Sequence, residues 1–336
     1  MCLERDFMKT QEKRVFGKKL DWTFLIFPIW IPILYILLEN LSGENAPLVT
    51  FAFIFLIGES HFLATLFFFT EENREYINSK KREFYLIPLV LILVNTLFFS
   101  INLKYALILG ALMSAYHVTR QSIGLLKLFG GKNSKLEFDI YLFSIFFVGI
   151  GFLRTSNQYF ESDNFIYKLT TYIWDFLTIV NTPTIMVLVI LYLTYRVLRN
   201  LDKMSKEAVA LYFTGALLYS PYLFASPTTA SVIGVSMHWS QYLTLVAGIS
   251  IHSGKLNYQR LKQQKVALFL GLIVLIFALI AVSDYVRLVR EVNLWILIIP
   301  LSIQLLHYYY DSLIWRGSEP HLRETVFKQI FQKSRD

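Results

Sequence analysis

The stretch "NLWILIIPLSIQLLHYYYDSLIW", Asn293 to Trp315, is apolar for about the length a helix needs to cross a ~30 Å hydrocarbon core, yet it carries Gln304, His307 and Asp311. Spacings of three and four residues place these three polar groups on one helical face. Lipid is a poor solvent for such a stripe, so it is expected to face the interior of a helix bundle. Trp295 and Trp315 lie twenty residues apart, about 30 Å along a helix, which is the spacing of interfacial anchors at the two membrane surfaces.

The rest of the chain follows the same pattern. Of its 336 residues 55% are hydrophobic and 16% aromatic, and only 17% are charged. Mean hydropathy is +0.49. Soluble domains carry about a quarter charged residues, so the composition predicts a polytopic membrane protein. The single cysteine, Cys2, excludes an internal disulfide framework and any CxxC metal or redox motif. About twenty polar residues precede the first apolar run, with no small-residue cleavage site after it, so a retained first span is expected in place of a signal peptide.

Apolar runs near 22–39, 47–69, 84–102, 105–128, 138–153, 179–197, 207–224, 229–251, 265–285 and 293–315 predict an all-α, polytopic bundle of about ten transmembrane helices. The segment 165–178 reads as an amphipathic lead-in to the sixth, interrupted by "NTPT" at Asn181–Thr184. The net charge of +8 would point to nucleic acid in a soluble protein. Here the basic residues fall in alternate short loops: Arg74, Lys80, Lys81 and Arg82 in one, Lys127, Lys132 and Lys135 in another. Such alternation is a topology signal, so no nucleic-acid partner is expected, and both termini are placed in the cytoplasm. Arg287 and Arg290, on a predicted outer loop, depart from the alternation. The expected organisation is a cytoplasmic segment 1–20, one transmembrane domain 21–316 and a cytoplasmic tail 317–336.

Six histidines occur. His252 at a membrane boundary and His321 in the tail read as surface residues. His61, His117, His238 and His307 each fall inside a predicted span, and the four spans run in the same direction. At 1.5 Å per residue they lie about 21, 18, 14 and 21 Å from the outer ends of their helices, equal within boundary errors of about 5 Å. Four imidazoles in one layer are more than scattered hydrogen-bonding residues between helices would produce. Gln121 follows His117 by four residues, Gln241 follows His238 by three, Gln304 precedes His307 by three, and Asp311 follows it by four. Such neighbours can hold the second ring N–H of a ligating imidazole. Arg120 is expected as a counter-charge to Asp311 or Glu59. Asp311, Arg120, Gln121, Gln241 and Gln304 are therefore candidate catalytic or orienting groups, and the four histidines candidate metal ligands.

Neutral imidazole suits iron, copper and zinc but not magnesium or calcium, and no cysteine or methionine cluster accompanies it. A nitrogen-rich site in lipid fits non-haem iron acting in oxygen chemistry on a lipophilic substrate that enters from the bilayer. In type and placement of residue, His61, His117, His238 and His307 resemble the histidines of the bacterial Brp/Blh carotenoid-cleaving dioxygenases. That resemblance implies a catalytic iron held by histidines and a location in the bacterial inner (plasma) membrane. The HxxxH and HxxHH boxes of membrane di-iron desaturases are absent. Haem and zinc stay open as cofactors, and a proton- or ion-coupled transporter stays open as a different class of function. Substrate, electron source and oligomeric state are not written in these residues.

Overall fold

The computed structural model describes residues 14–69, 73–101, 103–131, 133–159, 165–179, 182–252 and 298–330. Among them the chain is all-helical, as composition and periodicity predict, and contains no strand. The principal helices are α1 (Trp30–Leu41), α2 (Gly43–Phe68), α3 (Arg82–Ile101), α4 (Leu103–Leu128), α5 (Ser134–Tyr159), α6 (Phe165–Ile179), α7 (Thr182–Leu198), α8 (Lys206–Leu217), α9 (Pro227–His252) and α10 (Ile298–Ile314). The expected ninth span, 265–285, and the Trp295 end of the tenth lie outside the described residues.

Among the described residues three helices are long and apolar enough to cross a membrane: α2, α3 and Ser134–Arg154 of α5. A fourth joins them if the broken pair Lys18–Ile26 and Trp30–Leu41 counts as one span. Helices α4 and α9 have the length, at 26 residues each. Their histidines, glutamines, serines and threonines dilute their apolarity, and burial explains how α9 tolerates them: from Val232 to Leu245 nearly every α9 residue is buried. On α3 the exposed side is itself apolar. Leu86, Leu89, Val90, Leu93, Val94 and Leu97 are 43–61% exposed, a contiguous stripe that water would disfavour and a bilayer would solvate.

The chain divides into two compact units, one of residues 1–25, 55–97 and 240–336, the other of 26–54 and 98–239. In the first unit α10 packs on residues 60–68 at the end of α2. Tyr309 and Tyr310 donate to the carbonyls of Glu83 and Phe84 at 2.9 and 3.1 Å, and Asn95 donates to Ser302 at 3.0 Å, so three bonds tie α10 to α3. Ser240, on α9, donates to the carbonyl of Phe24 at 2.7 Å. The segment 320–330 is docked. Its Leu322, Val326 and Ile330 are buried, Glu319 pairs with Lys80 at 2.9 Å, and His252 Nδ1 lies 3.0 Å from the Gln329 carbonyl. His321 Nε2 sits 2.8 Å from Asn73 Oδ1, and its ring stacks on Tyr76 at 4.4 Å. Neither His252 nor His321 is therefore the plain surface residue that was expected.

In the second unit α8 packs against α4 and α5. Ser205 caps α8 by accepting from the Ala208 amide at 3.0 Å, which satisfies one of the amides the first turn leaves open. Buried Asp139 of α5 accepts from Arg196 and Tyr192 of α7 at 2.8 and 2.9 Å and from Tyr212 of α8 at 2.8 Å. One carboxylate thus fixes three helices. Gly234 permits a close approach to backbone: a Cβ there would meet the Leu218 carbonyl oxygen at 2.8 Å.

Candidate metal centre

In the first unit His61 follows a π-helical turn, Ile54–Glu59, which inserts an extra residue per turn and shifts every side chain beyond it round the helix. His61 thereby meets His307 of α10, with ring centroids 4.3 Å apart at 68°. Thr65, one turn after His61, reaches the same place. Its Oγ1 lies 2.5 Å from His307 Nδ1, 2.9 Å from Tyr242 Oη and 3.3 Å from Asp311 Oδ1. Tyr242 Oη donates to Asp311 Oδ1 at 2.8 Å, and Asp311 Oδ2 lies 3.6 Å from His307 Nε2. The Tyr242 ring stands edge-on to His61 at 4.7 Å and to His307 at 5.3 Å. His61, Thr65, Tyr242, His307 and Asp311 are each at most 3% exposed.

More than one order of donors fits this geometry. Thr65 has one hydroxyl proton, and Asp311, ionised, can only accept. Thr65 can donate to Asp311 Oδ1 while accepting from His307 Nδ1–H, or donate to His307 Nδ1 itself. In the first order His307 carries its proton on Nδ1 and a lone pair on Nε2, the arrangement of an imidazole that can bind a cation.

In the second unit His117 of α4 and His238 of α9 pack edge to face with centroids 5.6 Å apart at 88°. They are 7% and 1% exposed. Within the first unit, His61 and His307 are two buried histidines that could contribute to holding a metal ion. All four expected ligands are buried, and the histidines pair as 61 with 307 and 117 with 238.

The expected companions divide. Asp311 is buried and belongs to the His61–His307 cluster. Gln241 is buried on α9 and Gln121 half-buried on α4. Gln304 turns its amide to Tyr308 Oη one turn along its own helix. Arg120 departs from its expected role as counter-charge. It is exposed, with its Nη1 3.5 Å from Tyr141 Oη. Tyr116, Arg120, Gly124 and Lys127 recur at helical spacing on one outward face of α4, so Arg120 lies on the side turned away from the buried one. Among the groups that meet Asp311 are Tyr242, Thr65 and His307.

Thr65 and Tyr242 went unread in the sequence although the signal was there. Each lies four residues after a histidine, His61 and His238 respectively. The spacing that selected glutamines and an aspartate applies equally to hydroxyls. The buried Asp139–Arg196 pair was missed because its partners come from three different helices.

Compared with known proteins, the chain matches no family model, no curated protein and no solved structure.

Proposed function

We propose that this chain is an integral membrane metalloprotein, with cytoplasmic termini, whose buried histidines His61, His117, His238 and His307 ligate a transition metal. The reading is carried by one observation: His61 and His307 are buried and in ring contact, with Thr65 Oγ1 and the Asp311 carboxylate beside the two ring nitrogens of His307. Outer groups that orient a ligating imidazole in this way are a regular part of protein metal sites. The equal depth of the four histidines in the sequence supports their acting together.

Among metals, imidazole without thiolate favours iron, zinc or copper(II) over copper(I) or an iron–sulfur cluster. Non-haem iron in oxygen chemistry on a lipophilic substrate, as in the Brp/Blh dioxygenases, is the specific activity we infer, supported by the ligand type and the apolar exterior of α3. Axial histidines of a haem have the macrocycle between them. Rings that pack directly edge to face, at 4.3 and 5.6 Å, leave no room for that plane within either pair. In this scheme Asp311 holds negative charge beside the cation, and Gln121 and Gln241 orient what binds there.

Elemental analysis of the detergent-purified chain, before and after loading with iron(II) and zinc, tests the reading. The expected result is a stoichiometric metal lost together when His61 and His307 are replaced by Ala. Only trace metal after both loadings overturns it. A second reading draws on the same network: the Thr65–Tyr242–Asp311–His307 chain of hydrogen bonds is what a proton-coupled transporter would use. Proton uptake into vesicles by a metal-free chain would favour that reading over the metalloprotein.

A further inference from the structure

The metal reading leaves Tyr242 without a task. Its phenol is 2% exposed and touches every member of the first unit's cluster: His61, Thr65, His307 and Asp311. On its other side the ring meets Trp315 edge-on at 5.9 Å, and Trp315 meets Phe327 at 6.1 Å. Trp315 is part-exposed, so aromatic rings lead from the two imidazoles to the surface of this unit.

A buried phenol needs a hydrogen-bond acceptor, and for most tyrosines that is the whole explanation. Other tyrosines of this chain fit it. Tyr309 and Tyr310 donate to backbone carbonyls, which are too weakly basic to keep a proton. Tyr212 donates to Asp139, a carboxylate already neutralised by Arg196 at 2.8 Å. Tyr35 donates to Glu39 at 3.0 Å on α1, with Thr50 as its other partner. Tyr242 combines a carboxylate acceptor at 2.8 Å with two imidazole rings in T-shaped contact.

We propose that Tyr242 is redox-active: it yields one electron to an oxidised transition-metal ion on the histidines, and its phenolic proton to Asp311 Oδ1. The oxidant rests on the metalloprotein reading above; the tyrosine–aspartate pair does not. The O–H bond of Tyr242 breaks and an O–H bond forms on Asp311, giving a neutral phenoxyl radical and a neutral carboxylic acid. The metal falls by one positive charge and Asp311 loses one negative charge. No net charge is created in a low-dielectric site, where an uncompensated one would be costly. The proton travels a single hydrogen bond already within transfer distance. An external one-electron reductant returns the electron, and Asp311 returns the proton.

The test uses the full chain in detergent with a fluorinated tyrosine at position 242 only. In one arm the metal-stripped chain is oxidised by a photogenerated ruthenium(III) polypyridyl complex. In the other the iron-loaded chain is oxidised with peroxide. Paramagnetic resonance is read in both. A tyrosyl signal with fluorine splitting in both arms is expected, formed about 10²-fold more slowly in Asp311→Asn, the scale of a positioned proton acceptor. A signal without fluorine splitting in both arms overturns the proposal, whatever the metal content. Fluorine splitting in the ruthenium arm with no metal bound by elemental analysis keeps the tyrosine–aspartate pair and overturns the histidine-held oxidant. The fluorinated residue preserves the native hydrogen bonds, so the result stands even if Asp311→Asn fails to fold.

Discussion

Thr65 Oγ1 lies 2.5 Å from His307 Nδ1, across 242 residues of sequence. A hydroxyl on one helix thus bonds the ring nitrogen of an imidazole on another. Replacing Thr65 by Val keeps the shape and removes the bond. Metal affinity should fall about 10–100-fold, the usual effect of losing a group that orients a ligand. Thr65→Ser should retain most of it. Competition with a chromophoric chelator measures both.

His61→Ala and His307→Ala should each abolish stoichiometric metal binding. His321→Ala should leave metal content unchanged, because its ring is committed to Asn73 and Tyr76. Equal metal content in all three variants, by elemental analysis, would assign the ion elsewhere.

Asp139 makes a stability prediction independent of any metal. Asp139→Ala strands the Arg196 guanidinium, whose side chain is 14% exposed, together with two tyrosine hydroxyls. Removing one partner of a buried pair costs about 3–5 kcal/mol, and partial exposure of Arg196 places this case near the lower end. Adding Arg196→Met should recover part of the loss, since the unpaired charge goes with it. Denaturation in mixed micelles measures the series.

Two glycines should respond oppositely to the same methyl group. Gly234→Ala drives a Cβ to within 2.8 Å of the Leu218 carbonyl oxygen, a backbone atom just past the end of α8 that cannot swing aside as a side chain would. The expected cost is about 1–3 kcal/mol. Gly124→Ala on α4 meets nothing within 4 Å. It should be neutral or stabilising by up to about 1 kcal/mol through helix propensity.

His321 should make docking of the segment 320–330 sensitive to acid. Burial lowers its pKa below the ordinary 6.5, so folding favours the neutral ring. The stability it contributes is complete above about pH 6.5 and is lost as pH falls toward the depressed value. Hydrogen exchange of 320–330, corrected for intrinsic rates, should rise on acidification, and His321→Gln should flatten that rise. Lys80 acts in the same region: its pairing lowers the Glu319 pKa and keeps that carboxylate ionised over the same range.

Helicity, apolar length and the burial of four histidines were legible from periodicity, because a helix repeats every 3.6 residues and each residue type carries its own transfer cost. The same rule placed Asp311 beside His307 at i+4. It failed for Arg120, because spacing reports that two residues share a face but not whether that face is inside. Its neighbours Tyr116 and Lys127 show the answer only once the helix is packed.

Sequence alone therefore determined the all-helical class, the apolar exterior of α3 and the set of buried imidazoles, all of which follow from local geometry and solvation. Tertiary structure alone decided that His61 meets His307, that His117 meets His238, and that Thr65 and Tyr242 complete a network with Asp311. Tyr242 reaches Thr65 across 177 residues, and a π turn before His61 shifts the register that counting at 3.6 assumes. Hydrogen bonds of that reach depend on the rotation of whole helices about their axes, which packing sets and a linear pattern does not encode.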